Sequence, residues 1–368
     1  MLKFDIVKKQ GLARVGVIHT PHGDIKTPAF VGAATRATVK ALTMKEMRDL
    51  GSQAILANTY HLLLRPGIDI IKNAGGLSEF CAWHGPTFTD SGGFQIFSLP
   101  DVKISEEGVK FKSYLDGSKF EMTPESSMEA QWAIGADIHM AFDHLAKSEN
   151  RKDMEEAMRR THRWLDRCIT KHKELNSNTE QYLYAVVQGG TFSDLRAESA
   201  RYCAAKDVDG FGIGGVFTAD GMDKMLKIVN SILPENKPRH LLGMGEEPTD
   251  LFIGAEFGCD TFDCVGPTRM ARNGSLYTNH GRINIKNAKY KDDYTPLMDD
   301  CDCELCQNYT RAYLHHLFRT DEITAKVLAS IHNEHFVVKT VDKIRESLLN
   351  GTFNEYKNEF LTNYYKTK

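Results

Sequence analysis

Short apolar runs with Gly, Asp, Asn or Gln at or near their ends recur along this chain. They cover residues 28–34, 54–59, 87–91, 137–143, 182–188, 210–215, 240–245 and 261–265. Segments with helical spacing separate several of them. Residues 43–50 precede the second run, 151–173 follow the fourth, 194–205 the fifth, 222–233 the sixth and 248–257 the seventh. Within 151–173, Met154, Ala157, Met158, Thr161, Trp164, Leu165 and Cys168 recur at steps of one, three or four, the signature of one buried helix face. Short buried strands alternating with helices imply a parallel sheet. Eight such units in about 240 residues point to an α/β fold of the (β/α)8 TIM-barrel type. An open doubly wound sheet remains the alternative on pattern alone.

Two regions break the repeat. Residues 103–120, KISEEGVKFKSYLDGSKF, alternate in polarity, with turn signals at Glu107-Gly108 and Asp116-Gly117, and predict an inserted β-hairpin. After the eighth run, residues 267 to about 331 carry a cysteine cluster, and 337–360 read as helix. The chain thus divides into a barrel body over 1–266, a C-terminal cysteine-bearing insertion over 267–335 and a helical closure over 336–368.

The length, 368 residues, suits one large barrel with an appended piece. No apolar run approaches the roughly 20 residues of a membrane span. The opening Met1-Leu2-Lys3-Phe4-Asp5 lacks the apolar core of a signal peptide, so a cytoplasmic protein without membrane contact is expected. The net charge of −3 does not announce a polyanion binder, so any RNA contact must come from a local basic patch. Of the eight cysteines, Cys301, Cys303 and Cys306 cluster, which in a reducing compartment points to metal rather than disulfides.

Four groups carry chemistry. Three thiolates and one imidazole complete a tetrahedral zinc shell with no open position, which predicts a structural ion. Spacing leaves His315, His316, His332 and His335 as candidates for the imidazole, and three chance cysteines in an acidic loop is the plain alternative. In Thr89-Asp90-Ser91-Gly92-Gly93-Phe94-Gln95, the glycines let backbone approach a ligand. An Asp at the carboxyl end of a barrel strand reads as catalytic, although capping the next helix would equally use it. Phe262-Asp263-Cys264 ends the eighth run, followed by Arg269 and Arg272, three apart, suited to phosphates or base edges or to a solvated ion pair. Asp143, Gln188 and Gly214-Gly215 end further runs. On a barrel rim a carboxylate, an amide and exposed backbone can together read a purine edge. Two aspartates facing one glycosidic bond match the logic of retaining glycosidases, where one attacks the sugar and the other shuttles the proton.

These residues, with Val187-Gln188-Gly189-Gly190, Gly212-Ile213-Gly214-Gly215, Pro267-Thr268-Arg269, Asn58-Thr59-Tyr60-His61-Leu62 and Arg65-Pro66-Gly67, resemble the tRNA-guanine transglycosylases. Ile285-Lys286-Asn287-Ala288-Lys289-Tyr290 and Arg311-Ala312-Tyr313-Leu314-His315-His316 extend the likeness from about Phe4 to Tyr365. The resemblance implies a (β/α)8 barrel with a C-terminal zinc-binding subdomain, so that 267–335 become the zinc-binding and tRNA-contacting region. It implies exchange of guanine at the tRNA wobble position for a 7-deazaguanine. Asp263 would be the nucleophile and Asp90 the general acid/base. Asp143, Gln188 and Gly215 would hold the base, and Phe94 would stack on it. Arg269 and Arg272 would contact the anticodon loop, and Cys301, Cys303, Cys306 and His332 would bind one zinc. A chain ending soon after the barrel and keeping Asp263 resembles the bacterial, catalytic, homodimeric type, which acts on tRNAs for Asp, Asn, His and Tyr.

The chain departs from that pattern at several points. His144-Leu145 stand where bacterial members carry Glu-Cys, and the aliphatic Leu145 is closer to enzymes that take the larger base queuine. Val216-Phe217-Thr218-Ala219-Asp220 shortens a glutamate to Asp220 and adds the bulk of Phe217, while Gly266 removes bulk elsewhere. These changes bear on which base enters, with 7-aminomethyl-7-deazaguanine ahead of queuine. A nucleoside hydrolase would explain the aspartates but not the arginine pair or the cysteines. A non-catalytic tRNA-binding homologue would leave Asp90 and Asp263 without a task.

Overall fold

Parallel pairing closes eight strands into a ring, so no edge is left unpaired. The computed structural model describes residues 2–146, 148–176, 180–214 and 221–366. In chain order the barrel strands are Ala29–Ala33, Ala54–Asn58, Thr87–Asp90, Ile138–Met140, Tyr182–Val187, Gly210–Ile213, Arg239–Leu241 and Thr261–Cys264. The last pairs with the first, Asp263 opposite Val31. The barrel reading therefore holds and the open sheet does not.

The intervening helices lie where the spacing places them, at Met44–Asp49, Arg151–Leu175, Ser193–Ala204, Met222–Ile232 and Pro248–Glu256. Local chemistry sets their ends. Thr43 and Glu46 form a capping box at the first, and Asn150 accepts from the Asp153 amide at the second. The seventh strand is shorter than the apolar run 240–245. Gly243 at φ +70° and Gly245 at φ +124° turn the chain out of the sheet. Among the described residues no helix is long and apolar enough to cross a membrane.

Three additions frame the barrel. Lys3–Gln10, Ala13–Thr20 and Gly23–Thr27 form an antiparallel sheet that the repeat did not announce. Its Phe4, Ile18 and Ile25, with Leu2 just before it, pack with barrel-interior Val31, Phe88, Ile138 and Tyr184, so the sheet plugs the end where the strands begin. The inserted hairpin, Val109–Lys112 with Lys119–Met122, gains a short third strand, Lys103–Ile104. The C-terminal helix expected over 337–360 is two helices, Ile323–Asn350 and Phe353–Tyr365, parted at Gly351 with φ +79°. The first begins well before residue 336, so the expected boundary after 335 falls inside it. Its polar stretch Ser330-Ile331-His332-Asn333-Glu334-His335 hides the apolar period but is buried. Asn333 shows how such a group is accommodated: its Nδ2 donates to the Pro267 and Ser275 carbonyls at 3.0 and 3.1 Å.

One buried ion pair ties the plug to the barrel. Arg14 donates through Nε to Asp260 Oδ1 at 2.8 Å and pairs with Oδ2 at 2.5 Å, both side chains almost wholly inaccessible. Asp260 Oδ2 also accepts the Arg239 amide at 2.6 Å, joining the starts of the seventh and eighth strands. Replacing Arg14 by Met is expected to lower stability by about 3–5 kcal/mol, because the Asp260 charge stays buried without its partner. Urea unfolding reads this; a loss below about 1 kcal/mol would show that the pair does not hold the plug.

Candidate active site and metal centre

Asp90 and Asp263 reach one cavity of about 840 Å³ at the strands' carboxyl ends. Asp90 is the last residue of the third strand, and register sets Asn58 of the second strand beside it. Asn58 Nδ2 donates to Asp90 Oδ2 at 2.7 Å, and the Thr59 and Gly92 amides donate to Oδ1 at 3.2 and 3.1 Å. Gly92 can present its amide because it adopts φ +79°; a Cβ there would meet the Tyr60 backbone nitrogen at 2.7 Å. Burial pushes the Asp90 carboxyl up to about 7, and the nearby Asp263 charge adds to it, against the lowering effect of the three donors. Such a group is half-protonated near neutrality and can give or take a proton.

Asp263 lies on the eighth strand with its side chain almost inaccessible. Its Oδ1 accepts from the Gly243 amide at 2.9 Å and lies 3.1 Å from His240 Nε2. Neither Asn58 nor His240 was among the sequence candidates. Their contacts follow from strand register; the sequence marked Asn58 only as part of the motif Asn58-Thr59-Tyr60-His61-Leu62 and His240 only by its place in an apolar run.

Of the residues expected to read the base, Phe94, Asp143 and Gln188 line this cavity. Asp143 lies three residues beyond the fourth strand, accepts from Ser91 Oγ at 3.1 Å and from Gln188 Nε2 at 2.5 Å. Burial raises its carboxyl pKa against these two bonds. The loops after the fifth and sixth strands are stitched by the wholly buried Arg196, which donates to the Gly190, Val187 and Gly214 carbonyls at 2.7, 3.0 and 2.6 Å. Burial pushes the Arg196 guanidinium down to about 9. Gly215 and the departures Val216-Phe217-Thr218-Ala219-Asp220 lie outside the described residues. Phe94 stands 64% exposed at the cavity, free to stack on a planar ligand. Leu145 lines the same cavity. Arg269 and Arg272 border it from the helix Gly266–Arg272. Arg269 pairs with Glu246. Among the described residues, one buried guanidinium nitrogen of Arg272 has no partner, and burial, then Arg269, lowers its pKa.

The metal candidates converge away from this rim. The ligand atoms of Cys301, Cys303, Cys306 and His332 all lie within 4.8 Å of one another. The three sulfurs stand 3.8, 3.4 and 3.4 Å from His332 Nδ1. Zinc bonds of about 2.0 and 2.3 Å give tetrahedral edges of roughly 3.5–3.8 Å, so the donors fit. His332 Nε2 lies 2.8 Å from the Tyr277 carbonyl oxygen, which can only accept; Nε2 therefore carries the proton and Nδ1 is bare. Of the rivals, His335 Nδ1 meets only Cys301, at 3.6 Å, and its Nε2 pairs with Asp302 at 2.7 Å. His315 bonds the Ile285 carbonyl at 2.8 Å, and His316 is exposed.

Comparison with known proteins accords with this geometry. The family model described as queuine tRNA-ribosyltransferase matches residues 8–366. A queuine tRNA-ribosyltransferase from Pelotomaculum thermopropionicum is 47% identical over 357 residues, covering 96% of this chain and 95% of the relative. Relatives of the same name from Desulforamulus reducens and Halalkalibacterium halodurans are each 45% identical, over 365 and 368 residues. They cover 98% of this chain and 97% and 96% of their own. With the match running almost end to end, the chain belongs to the queuine tRNA-ribosyltransferase family and is a tRNA-guanine transglycosylase enzyme.

Proposed function

We propose that this enzyme exchanges guanine at the wobble position of tRNAs with GUN anticodons, those for Asp, Asn, His and Tyr, for 7-aminomethyl-7-deazaguanine in queuosine biosynthesis. The observation that carries the reading is the pairing of Asp90 and Asp263 on one cavity, with Asp143 and Gln188 hydrogen-bonded to each other inside it. The reaction is a double displacement. Asp263 attacks the ribose C1′ while Asp90 gives its proton to the departing guanine, leaving a covalent ribosyl-aspartate. The deazaguanine enters, Asp90 takes its ring proton, and the base nitrogen displaces Asp263. Two inversions give net retention.

Asp143 accepts from ring N–H and amino groups, Gln188 and the Gly215 amide bind the base carbonyl, and Phe94 stacks on the ring. The wobble base must leave the anticodon stack, which a single-stranded loop makes easier than a duplex. Arg269 and Arg272 meet the anticodon loop. Cys301, Cys303, Cys306 and His332 hold one zinc, which closes the C-terminal module structurally. The enzyme acts in the cytoplasm as a homodimer. A second reading, queuine as the incoming base, is favoured by the aliphatic Leu145 on the cavity wall. Competition between the two bases decides it: a preference above about tenfold for queuine, about 1.4 kcal/mol, would overturn the choice of 7-aminomethyl-7-deazaguanine.

The first experiment follows release of labelled guanine from the wobble position on adding 7-aminomethyl-7-deazaguanine. Release is expected with the native chain and none with Asp263→Asn, whose tRNA binding should persist. Loss of binding in that variant would make Asp263 structural. In single turnover, guanine release should slow as pH rises past about 7, because the proton that Asp90 donates is lost there. A rate level to about pH 9 would remove the acid role from Asp90. Metal analysis should find one zinc per chain, and Cys303→Ala should cost folding. A stable, zinc-free, active Cys303→Ala protein would refute the structural ion.

A further inference from the structure

Asp263 is held asymmetrically. Its Oδ1 takes the Gly243 amide at 2.9 Å and faces His240 Nε2 at 3.1 Å, while Oδ2 has no hydrogen-bond partner among the described residues. His240 is wholly buried in the barrel interior, on the seventh strand beside the eighth. Its ring stacks on Phe88 at 5.3 Å between centroids, and its Nδ1 lies 2.8 Å from Thr261 Oγ1. The tautomer follows from its neighbours. A carboxylate only accepts, so a bare Nε2 would set lone pair against lone pair. The proton therefore sits on Nε2, and the Thr261 hydroxyl donates to Nδ1. Ring stack, hydroxyl and carboxylate fix the imidazole at three points.

We infer that His240 is a positioning residue for the transglycosylation: by donating to Asp263 Oδ1 it aims Oδ2 at the sugar carbon and steadies the carboxylate when it leaves. The inference rests on the reading of Asp263 as nucleophile. In the first displacement an Oδ2 electron pair forms the bond to C1′ and the base departs with its bonding pair, neutralised by the Asp90 proton. In the second, the C1′–Oδ2 bond breaks with its pair returning to the carboxylate. The donor on Oδ1 then meets a full negative charge rather than an ester. Its strength differs between the two states, so removing it acts on the rate rather than on binding.

The test is steady-state exchange of labelled guanine for guanine in a tRNA with a GUN anticodon, which does not depend on which modified base is preferred. His240→Phe keeps the stack on Phe88 and removes the donor. It should lower kcat by about 10- to 100-fold with KM for tRNA changed by less than about twofold. His240→Gln, whose amide can reach Oδ1, should recover most of the loss. Native activity in His240→Phe, a loss confined to KM, or a Gln variant as slow as Phe would overturn the inference. Should His240→Phe fail to fold, the comparison runs between Gln and the one-methylene-shorter Asn, with equal rates counting against it. A native enzyme that neither exchanges guanine nor forms a covalent RNA adduct would instead sink the nucleophile reading, and this inference with it.

Discussion

Everything at the rim depends on holding three carboxylates close together without a cation on any of them. Among the described residues no Lys or Arg hydrogen-bonds Asp90, Asp143 or Asp263. Their donors are amides of Asn58 and Gln188, a hydroxyl of Ser91, backbone N–H groups and one imidazole. A guanidinium in contact would favour the charged form and take the proton out of play. Such donors orient the oxygens and leave burial to raise the Asp90 and Asp143 carboxyls. The outcome differs with the count of donors against the depth of burial, and at Asp90 it lands near neutrality.

Such an arrangement costs stability where it sits, and the fold supplies it elsewhere. The opposite end of the barrel carries the apolar plug and the Arg14–Asp260 pair, which lock the strand starts. The helix Ile323–Asn350 does the corresponding work beside the rim. It places His332 in the cysteine cluster and, one residue on, Asn333 against the carbonyls of Pro267, in the first turn of the arginine-bearing helix, and of Ser275, just beyond its end. Proposed metal site and proposed RNA contact are thus coupled through adjacent residues of one helix, though no metal ligand enters the catalytic cavity.

How much of this could be read from the chain follows from the range of the forces involved. Strand ends were legible because an apolar run stopped by Asp or Gly is a local pattern, and Asp90, Asp143, Gln188 and Asp263 all lie where those runs stop. The N-terminal sheet escaped because Lys3-Phe4-Asp5-Ile6-Val7-Lys8-Lys9-Gln10 is mostly polar and only part of one face is covered. The buried polar stretch around His332 concealed a helix, since its satisfaction comes from carbonyls more than fifty residues away. Spacing could not choose among four histidines. The Tyr277 carbonyl does, by fixing which nitrogen is bare. Asn58 and His240 are the same case: their importance is a matter of register, a relation between strands rather than a property of either.

The charge balance resolves by the same reasoning. A net charge of −3 argues against a broad electrostatic grip on RNA. Around the cavity, however, Arg36 and Lys40 line one part of the wall and Arg269 and Arg272 another, with the carboxylates also on that cavity. Under the proposed function, cations at the edge would meet phosphates where solvent is near, while a nucleotide reaching inward would leave its phosphates behind and present only base and sugar to the aspartates. The separation is needed because a phosphate drawn down to the carboxylates would repel them, and an arginine drawn down would quench them. Arg272, with a buried nitrogen unpartnered among the described residues and its pKa lowered by burial, lies on this cavity beside Arg269. An incoming acceptor oxygen there would satisfy a donor that has no partner among the described residues, so under the proposed function contact at the edge and entry of the base would be favoured together.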